Sequence, residues 1–164
     1  MYYQRSKPLR GVRGEEWKKA NKRDKRALVK RGKSHAILVY SRQTPVGWCQ
    51  YGTRDELPRI DAGRNYRKID QLKVDKLWRI TCFFVDKEYR GKGVAKLALE
   101  SAIKSIQRQG GGIVEAYPVV SEKMQAVAEW RWFGTPSMFT REGFKRIAPL
   151  GSSGVLMRKT VHPV

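Results

Sequence analysis

Residues 77–117, LWRITCFFVDKEYRGKGVAKLALESAIKSIQRQGGGIVEAY, decide the fold. The run Leu77 to Asp86 is built of strand-forming residues and is almost continuously apolar in its second half, which predicts a central strand buried on both faces. From Gly93 to Gln109 apolar side chains recur at 94, 95, 97, 98, 99, 102, 103 and 106, a helical period closed by Gly110, Gly111 and Gly112. Ile113 to Tyr117 (IVEAY) returns to strand composition. Strand, glycine-containing turn, helix and strand, in that order, predict one right-handed βαβ crossover with its two strands parallel.

The turn of that crossover, Tyr89-Arg90-Gly91-Lys92-Gly93-Val94-Ala95, has the chemistry of a phosphate site. Gly91 and Gly93 lack the Cβ atoms that would hold a ligand off the backbone. The N–H groups of a first helical turn have no partner within the helix, and Arg90 and Lys92 add positive charge. The stretch is neither a Walker loop, since GxxxxGK followed by Ser or Thr is absent, nor GxGxxG, since Lys96 and Leu97 follow where a third glycine belongs. On the heptapeptide alone, a tight strand-to-helix turn accounts for the two glycines equally well.

Working outward, His35–Tyr40 (HAILVY) and Val46–Tyr51 (VGWCQY), with Ser41 to Pro45 between them, predict a β-hairpin. Residues 52–76 are polar with no sustained period and are expected to form a long, substrate-facing loop. Beyond Pro118, Met124, Val127, Ala128 and Trp132 share helical spacing, Gly134 to Glu142 predicts a short helix entered at Pro136, and Phe144–Ala148 and Val155–Lys159 predict two final strands. Upstream, Glu15 to Arg31 contains no Pro or Gly, starts with acids and ends with Lys30 and Arg31, and is followed by Gly32 as a cap: a helix with a thin apolar stripe of Trp17, Ala20, Ala27 and Leu28.

At 164 residues and 40% apolar content the chain has room for one domain, 1–164, with a buried core. Thirty-five Lys and Arg against fifteen Asp and Glu give a net charge of +20, which points to a polyanionic ligand or partner. Residues 1–33 form a basic helical region holding thirteen of those cations against three acids. Two cysteines, Cys49 and Cys82, and two histidines, His35 and His162, supply neither a disulfide framework nor a metal site and fit a reducing, cytoplasmic setting. No stretch approaches the roughly 18–20 apolar residues of a membrane span, so no membrane partner is expected.

Arg90, Gly93 and Ala95 fill the pattern Arg or Gln, two residues, Gly, one residue, Gly or Ala, and here the sequence resembles the GNAT superfamily of acyl-CoA-dependent N-acyltransferases. GTPSMFTREGF (134–144) looks like the second cofactor motif of that family. Together with GWCQYGTRDELPRI and CFFVDKEYRGKG it is similar to a bacterial and archaeal GNAT subgroup. The resemblance implies an α/β fold, a mixed and mostly antiparallel sheet of six or seven strands with a parallel pair and helices on both faces. It implies acetyl-CoA as cosubstrate, no metal, and a primary amine of a small molecule or peptide as acceptor. Family members are often dimers, so a homodimer is expected to be open to this chain.

The same resemblance places pantetheine against the strand backbone at Phe83, Phe84 and Val85, and the pyrophosphate on the amides of Gly91, Lys92, Gly93, Val94 and Ala95, with Arg90 and Lys92 close by. The second motif ends in the pair Gly143-Phe144, and many family members carry a Tyr four residues before that Gly to protonate the leaving thiolate. That position is Phe139 here, which leaves Tyr117, Ser137 or water as acid; Ser137 and Phe139 would flank the cofactor. Glu115 is the candidate base, against the alternative of a carboxylate paired with one of many cations. Cys82 and Cys49 read as small buried hydrophobes. Two rival functions stay open: a nucleic-acid- or ribosome-associated protein using the basic N-terminal region, with weak binding to phosphate, and an inactive acyl-CoA sensor.

Overall fold

The computed structural model describes residues 2–5, 7, 11–69, 73–120 and 132–164. Six strands, β1 (His35–Ser41), β2 (Thr44–Thr53), β3 (Leu77–Val85), β4 (Gly112–Ala116), β5 (Lys145–Leu150) and β6 (Gly154–Val161), form one sheet in the order β1-β2-β3-β4-β6-β5. Every neighbouring pair is antiparallel except β3–β4, the two strands of the crossover. Among the described residues three α-helices accompany the sheet: α1 (Gly14–Lys30), α2 (Val94–Arg108) and α3 (Pro136–Arg141). Met124, Val127 and Ala128 lie outside the described residues; Trp132 lines the cleft treated below.

Period selects the packing of α2. Ala98, Leu99, Ala102, Ile103 and Ile106 fall on one stripe and are buried against Cys49, Tyr51, Trp78, Ile80 and Val114 of the sheet. Burial of Leu99, Ile103 and Ile106 stabilises the fold by about 2 kcal/mol each. Gly47 lets the start of α2 close on β2, for a Cβ there would stand 2.3 Å from Val94 Cγ1. Side chains alternate along a strand, so Trp48 points away from the Cys49 side. The ring of Trp48 lies 5.8 Å from Lys25 Nζ, which puts α1 over the opposite face.

α1 has no buried residue, as its thin apolar stripe foretold. It is tied to the N-terminal segment by an ion pair between Arg5 and Asp24 and ends as expected, with Gly32 at φ +66° and the Lys33 N–H bonded to the Leu28 carbonyl at 2.9 Å.

Two expectations change. Residues 52–69 are not an irregular loop: they contain two 3₁₀ turns, Pro58–Ile60 and Tyr66–Lys68, and bury Leu57, Ile60 and Tyr66. Ile60 and Tyr66 form with Leu156 a second, smaller core. β3 is central, but its fully buried part is Leu77–Thr81 rather than the more apolar second half, where Phe84 is 49% exposed. Arg79 is buried in that first half because the 52–69 segment covers it, bonding it through Leu57, Asp61 and Tyr66, a tertiary effect that local hydropathy does not carry.

Candidate active site

β3 pairs with β4 only from Leu77 to Ile80, the last register partner being Ala116, and continues to Val85 paired on its β2 side alone. The opening on the side of this stretch that β4 leaves free is a cleft of about 490 Å³. Phe83, Phe84 and Val85 form one wall, Arg90, Gly91, Gly93, Val94 and Ala95 a second, and Trp132, Gly134, Thr135 and Met138 a third. Gly134, Thr135 and Met138 fall in the second motif and Tyr89 in the first, though the sequence did not single them out as lining residues; Trp132 and Lys96 were missed.

The second wall has the geometry its composition suggested. Gly91 and Gly93 have φ of +75° and +79°, a backbone region unfavourable to side chains, and a Cβ on either would meet no atom within 4 Å. Glycine is needed here for conformation, and the space above it is open. Gly93 is the N-cap of α2, no side chain caps that helix, and its first-turn residues Val94, Ala95 and Lys96 line the cleft. An anionic group fits such a cradle. Arg90 is held at the rim by a 3.3 Å bond from its Nε to the Val85 carbonyl.

Three of the remaining candidates stand outside the cleft lining. Lys92 lies with its Nζ 5.4 Å from the Tyr89 ring centroid. Ser137 is exposed, with its Oγ 3.0 Å from Thr135 Oγ1, the N-cap oxygen of α3. Phe139 is fully buried between Phe83 and Phe144, at ring-centroid distances of 6.0 and 5.2 Å, and has no hydroxyl to donate.

Glu115 and Tyr117 belong to a buried network on the face opposite α2. Glu115 is fully buried; its Oε2 accepts from Tyr66 at 2.6 Å and from Tyr117 at 2.8 Å, and its Oε1 accepts from Arg158 Nε at 2.8 Å. In register it sits opposite Arg79, four residues before Phe83 and thus about 13 Å down the strand from the cleft wall. Removal from water, then the Glu115 carboxylate, hold the Tyr117 hydroxyl well above its ordinary range and push Tyr66 up to about 12. Arg79 completes the cluster with bonds to Asp61, to the Leu57 carbonyl at 2.9 Å and to Tyr66 at 3.3 Å.

Burial raises the pKa of the Cys82 thiol and raises that of Cys49 further. Among the described residues no His, Cys, Asp and Glu group could hold a metal ion, and no helix is long and apolar enough to cross a membrane.

An open mixed sheet, a crossover with an uncapped helix N-terminus, and a cleft where the parallel strands part are the features of an acyl-CoA N-acyltransferase type of fold. The sequence matches the acetyltransferase (GNAT) family over residues 2–135, and the chain belongs to that family. Among solved structures it is similar to a GNAT-family protein from Desulfovibrio desulfuricans (TM-score 0.59, 14% identity, covering 93% of this chain and 86% of that one). It is also similar to the PaiA N-acetyltransferase of Thermoplasma acidophilum in complex with coenzyme A (TM-score 0.58, 14% identity, 92% and 81%). A third similar structure is the ribosomal-protein-S18-alanine N-acetyltransferase of Escherichia coli (TM-score 0.53, 11% identity, 94% and 82%). At these identities the likeness is one of fold. No curated protein sequence matches the chain.

Proposed function

We propose that this protein transfers the acetyl group of acetyl-CoA directly to a primary amine. The observation that carries the reading is the open cradle of Gly91 and Gly93 at the uncapped start of α2, placed beside the stretch of β3 that has no β4 partner. The amides of residues 91–95 hold the pyrophosphate, with Arg90 and Lys92 near it, and the β3 backbone at 83–85 takes the pantetheine arm. The bound thioester supplies an already activated acyl group, so the chain's own task is to align an amine, accept its proton and accommodate the oxyanion.

Phe139 removes the usual acid. A leaving thiol with a solution pKa near 8.5 departs with help from water alone, and the Tyr117 hydroxyl is already committed to Glu115. The raised Cys82 thiol gives no reason for a covalent acyl-enzyme. The positive field of the chain draws in the anionic cofactor and disfavours polycationic acceptors. Thiol release on mixing protein, acetyl-CoA and an amine panel tests the reading: turnover with at least one monoamine supports it, and cofactor binding with no turnover on any amine would make the protein a sensor.

A second reading has its own observation. At 100° per residue, the exposed side chains of Lys18, Lys19, Lys22, Arg23, Arg26 and Lys30 all fall within an arc of about 140° on the outer side of α1. Such a face suits the phosphates of a nucleic acid, and it leaves the cleft free.

A further inference from the structure

The β2–β3 pairing breaks register between Gln50 and Tyr51: Gln50 lies opposite Cys82 and Tyr51 opposite Ile80, so Thr81 is the extra residue of a β-bulge. Two buried polar atoms flank this break without a partner among the described residues, Gln50 Nε2 and Thr81 Oγ1. Their residues are only 4% and 2% exposed. Buried donors are nearly always satisfied, because leaving one unmade costs its full desolvation. Two at one bulge call for a partner that the described residues do not supply.

Their position says what that partner is. Thr81 follows Ile80, the last β3 residue paired with β4, and stands two residues before Phe83, where the wall of the cofactor cleft begins. Gln50 lies on the face opposite α2, beside Trp48 and under α1. There Lys25 donates to Gln4 Oε1 at 3.2 Å and Ser34 Oγ at 2.7 Å, which leaves its third N–H without a partner among the described residues. Partial burial lowers the pKa of Lys25, and its charge reaches Cys82, the register partner of Gln50. Next to this polar spot runs an apolar row across three strands: Leu38 pairs with Trp48 and Trp48 with Phe84, and Leu38 and Phe84 are about half exposed. Phe84 belongs to both the row and the cleft wall.

We propose that Gln50 Nε2 and Thr81 Oγ1, with Lys25 at the rim, bind an oxygen of the acceptor, so that the amine substrate is one that carries a carbonyl or carboxylate next to its amino group and an apolar side chain. That chemistry belongs to an α-amino acid and equally to a peptide N-terminus. Gln50 and Lys25 offer donors and Thr81 a hydroxyl, so the spot accepts an oxygen and rejects a bare alkyl chain, while the row from Leu38 to Phe84 takes the side chain. The address of the subsite rests on the acetyltransferase reading; its chemistry does not.

Calorimetric titration of the wild type and of Gln50→Leu, Gln50→Glu and Thr81→Val tests this, with acetyl-CoA, leucinamide, leucine, leucylglycine and isoamylamine titrated separately. Isoamylamine has the leucine side chain and amine but no carbonyl. The expected result is that the wild type binds the carbonyl-bearing ligands at least about tenfold more tightly than isoamylamine, and that both Gln50 variants abolish the difference while keeping wild-type affinity for acetyl-CoA. Gln50→Glu is nearly isosteric, so loss of the preference there reports the lost donor rather than a collapsed fold. Leucylglycine bound more tightly than leucine would identify a peptide N-terminus as the source, and the reverse order a free amino acid. Isoamylamine bound as well as leucinamide, a preference that survives in Gln50→Leu, or binding of acetyl-CoA alone would overturn the proposal. Gln50-dependent binding of leucinamide with no binding of acetyl-CoA would leave the subsite standing and overturn the acetyltransferase reading instead.

Discussion

Arg79 and Asp61 form a two-pronged ion pair, Nη1 to Oδ2 and Nη2 to Oδ1, each 2.8 Å, with the Arg79 side chain wholly out of water. Burial pushes Asp61 up, but the bonds from Arg79, and then from Arg54, outweigh it and hold the carboxyl below its usual range. This pair clamps the 52–69 segment onto β3. Asp61→Asn leaves a buried guanidinium under-compensated and is expected to cost about 3 kcal/mol, a fall in melting temperature of roughly 6–12 °C for a chain of this size. Because the folded pKa of Asp61 is depressed, its contribution is full above the unfolded value of about 4 and is lost as pH falls below it. The gap between wild type and Asp61→Asn therefore narrows in acid, which melting curves between neutral pH and pH of about 3 would check.

Glu115→Gln is expected to act on stability first. Both carboxylate oxygens are occupied by Tyr66, Tyr117 and Arg158, and an incoming amine would have to displace one of them. Loss of the charge opposite Arg158 should cost about 2–3 kcal/mol, with turnover per folded protein within about tenfold of wild type. A drop on the order of 100-fold at unchanged acetyl-CoA affinity would instead establish Glu115 as the base.

The contrast between these residues and the crossover shows what the sequence could carry. The βαβ unit and the glycines of its turn are local: period, composition and the positive φ demanded at Gly91 and Gly93 all fall within one stretch. The network around Glu115 is not local, since its donors Tyr66 and Arg158 lie 49 and 43 residues away in the chain. A lone Glu in a strand therefore reads in sequence either as a base or as the partner of a cation, and only the fold shows that Glu115 is buried with both carboxylate oxygens bonded. Arg79, a charge in the middle of an apolar strand, was the available signal that something polar covers it. Gln50 and Thr81 are ordinary strand residues until the register break sets them together.

The thiols are expected to be bystanders. Burial raises both, so labelling of Cys49 and Cys82 by iodoacetamide should be slow at neutral pH and accelerate only as the solution becomes alkaline. Incubation with acetyl-CoA and no acceptor should leave the intact mass of the protein unchanged. An added acetyl group on Cys82 would contradict direct transfer.

Reversal of charge along α1, Lys18→Glu with Lys22→Glu, Arg26→Glu and Lys30→Glu, probes the second reading. If the wild type binds a nucleic-acid duplex through this face, its log affinity falls with log salt at about −0.9 per phosphate contact, and the four reversals make that slope shallower by about 3–4. None of these residues is buried, so the melting temperature should hold. Equal slopes for both proteins, or no measurable binding by the wild type, would remove nucleic acid from the account.

The central claim is that the cradle at the start of α2 holds the pyrophosphate of an acyl-CoA. Calorimetric titration with acetyl-CoA of the wild type and of Gly93→Glu tests it most directly. The variant puts bulk and negative charge into the open space over a left-handed residue, at a strain cost of about 1–2 kcal/mol that leaves the fold intact. The account predicts saturable, micromolar binding by the wild type and none by the variant. Equal binding by both, or none by folded wild-type protein, would contradict it.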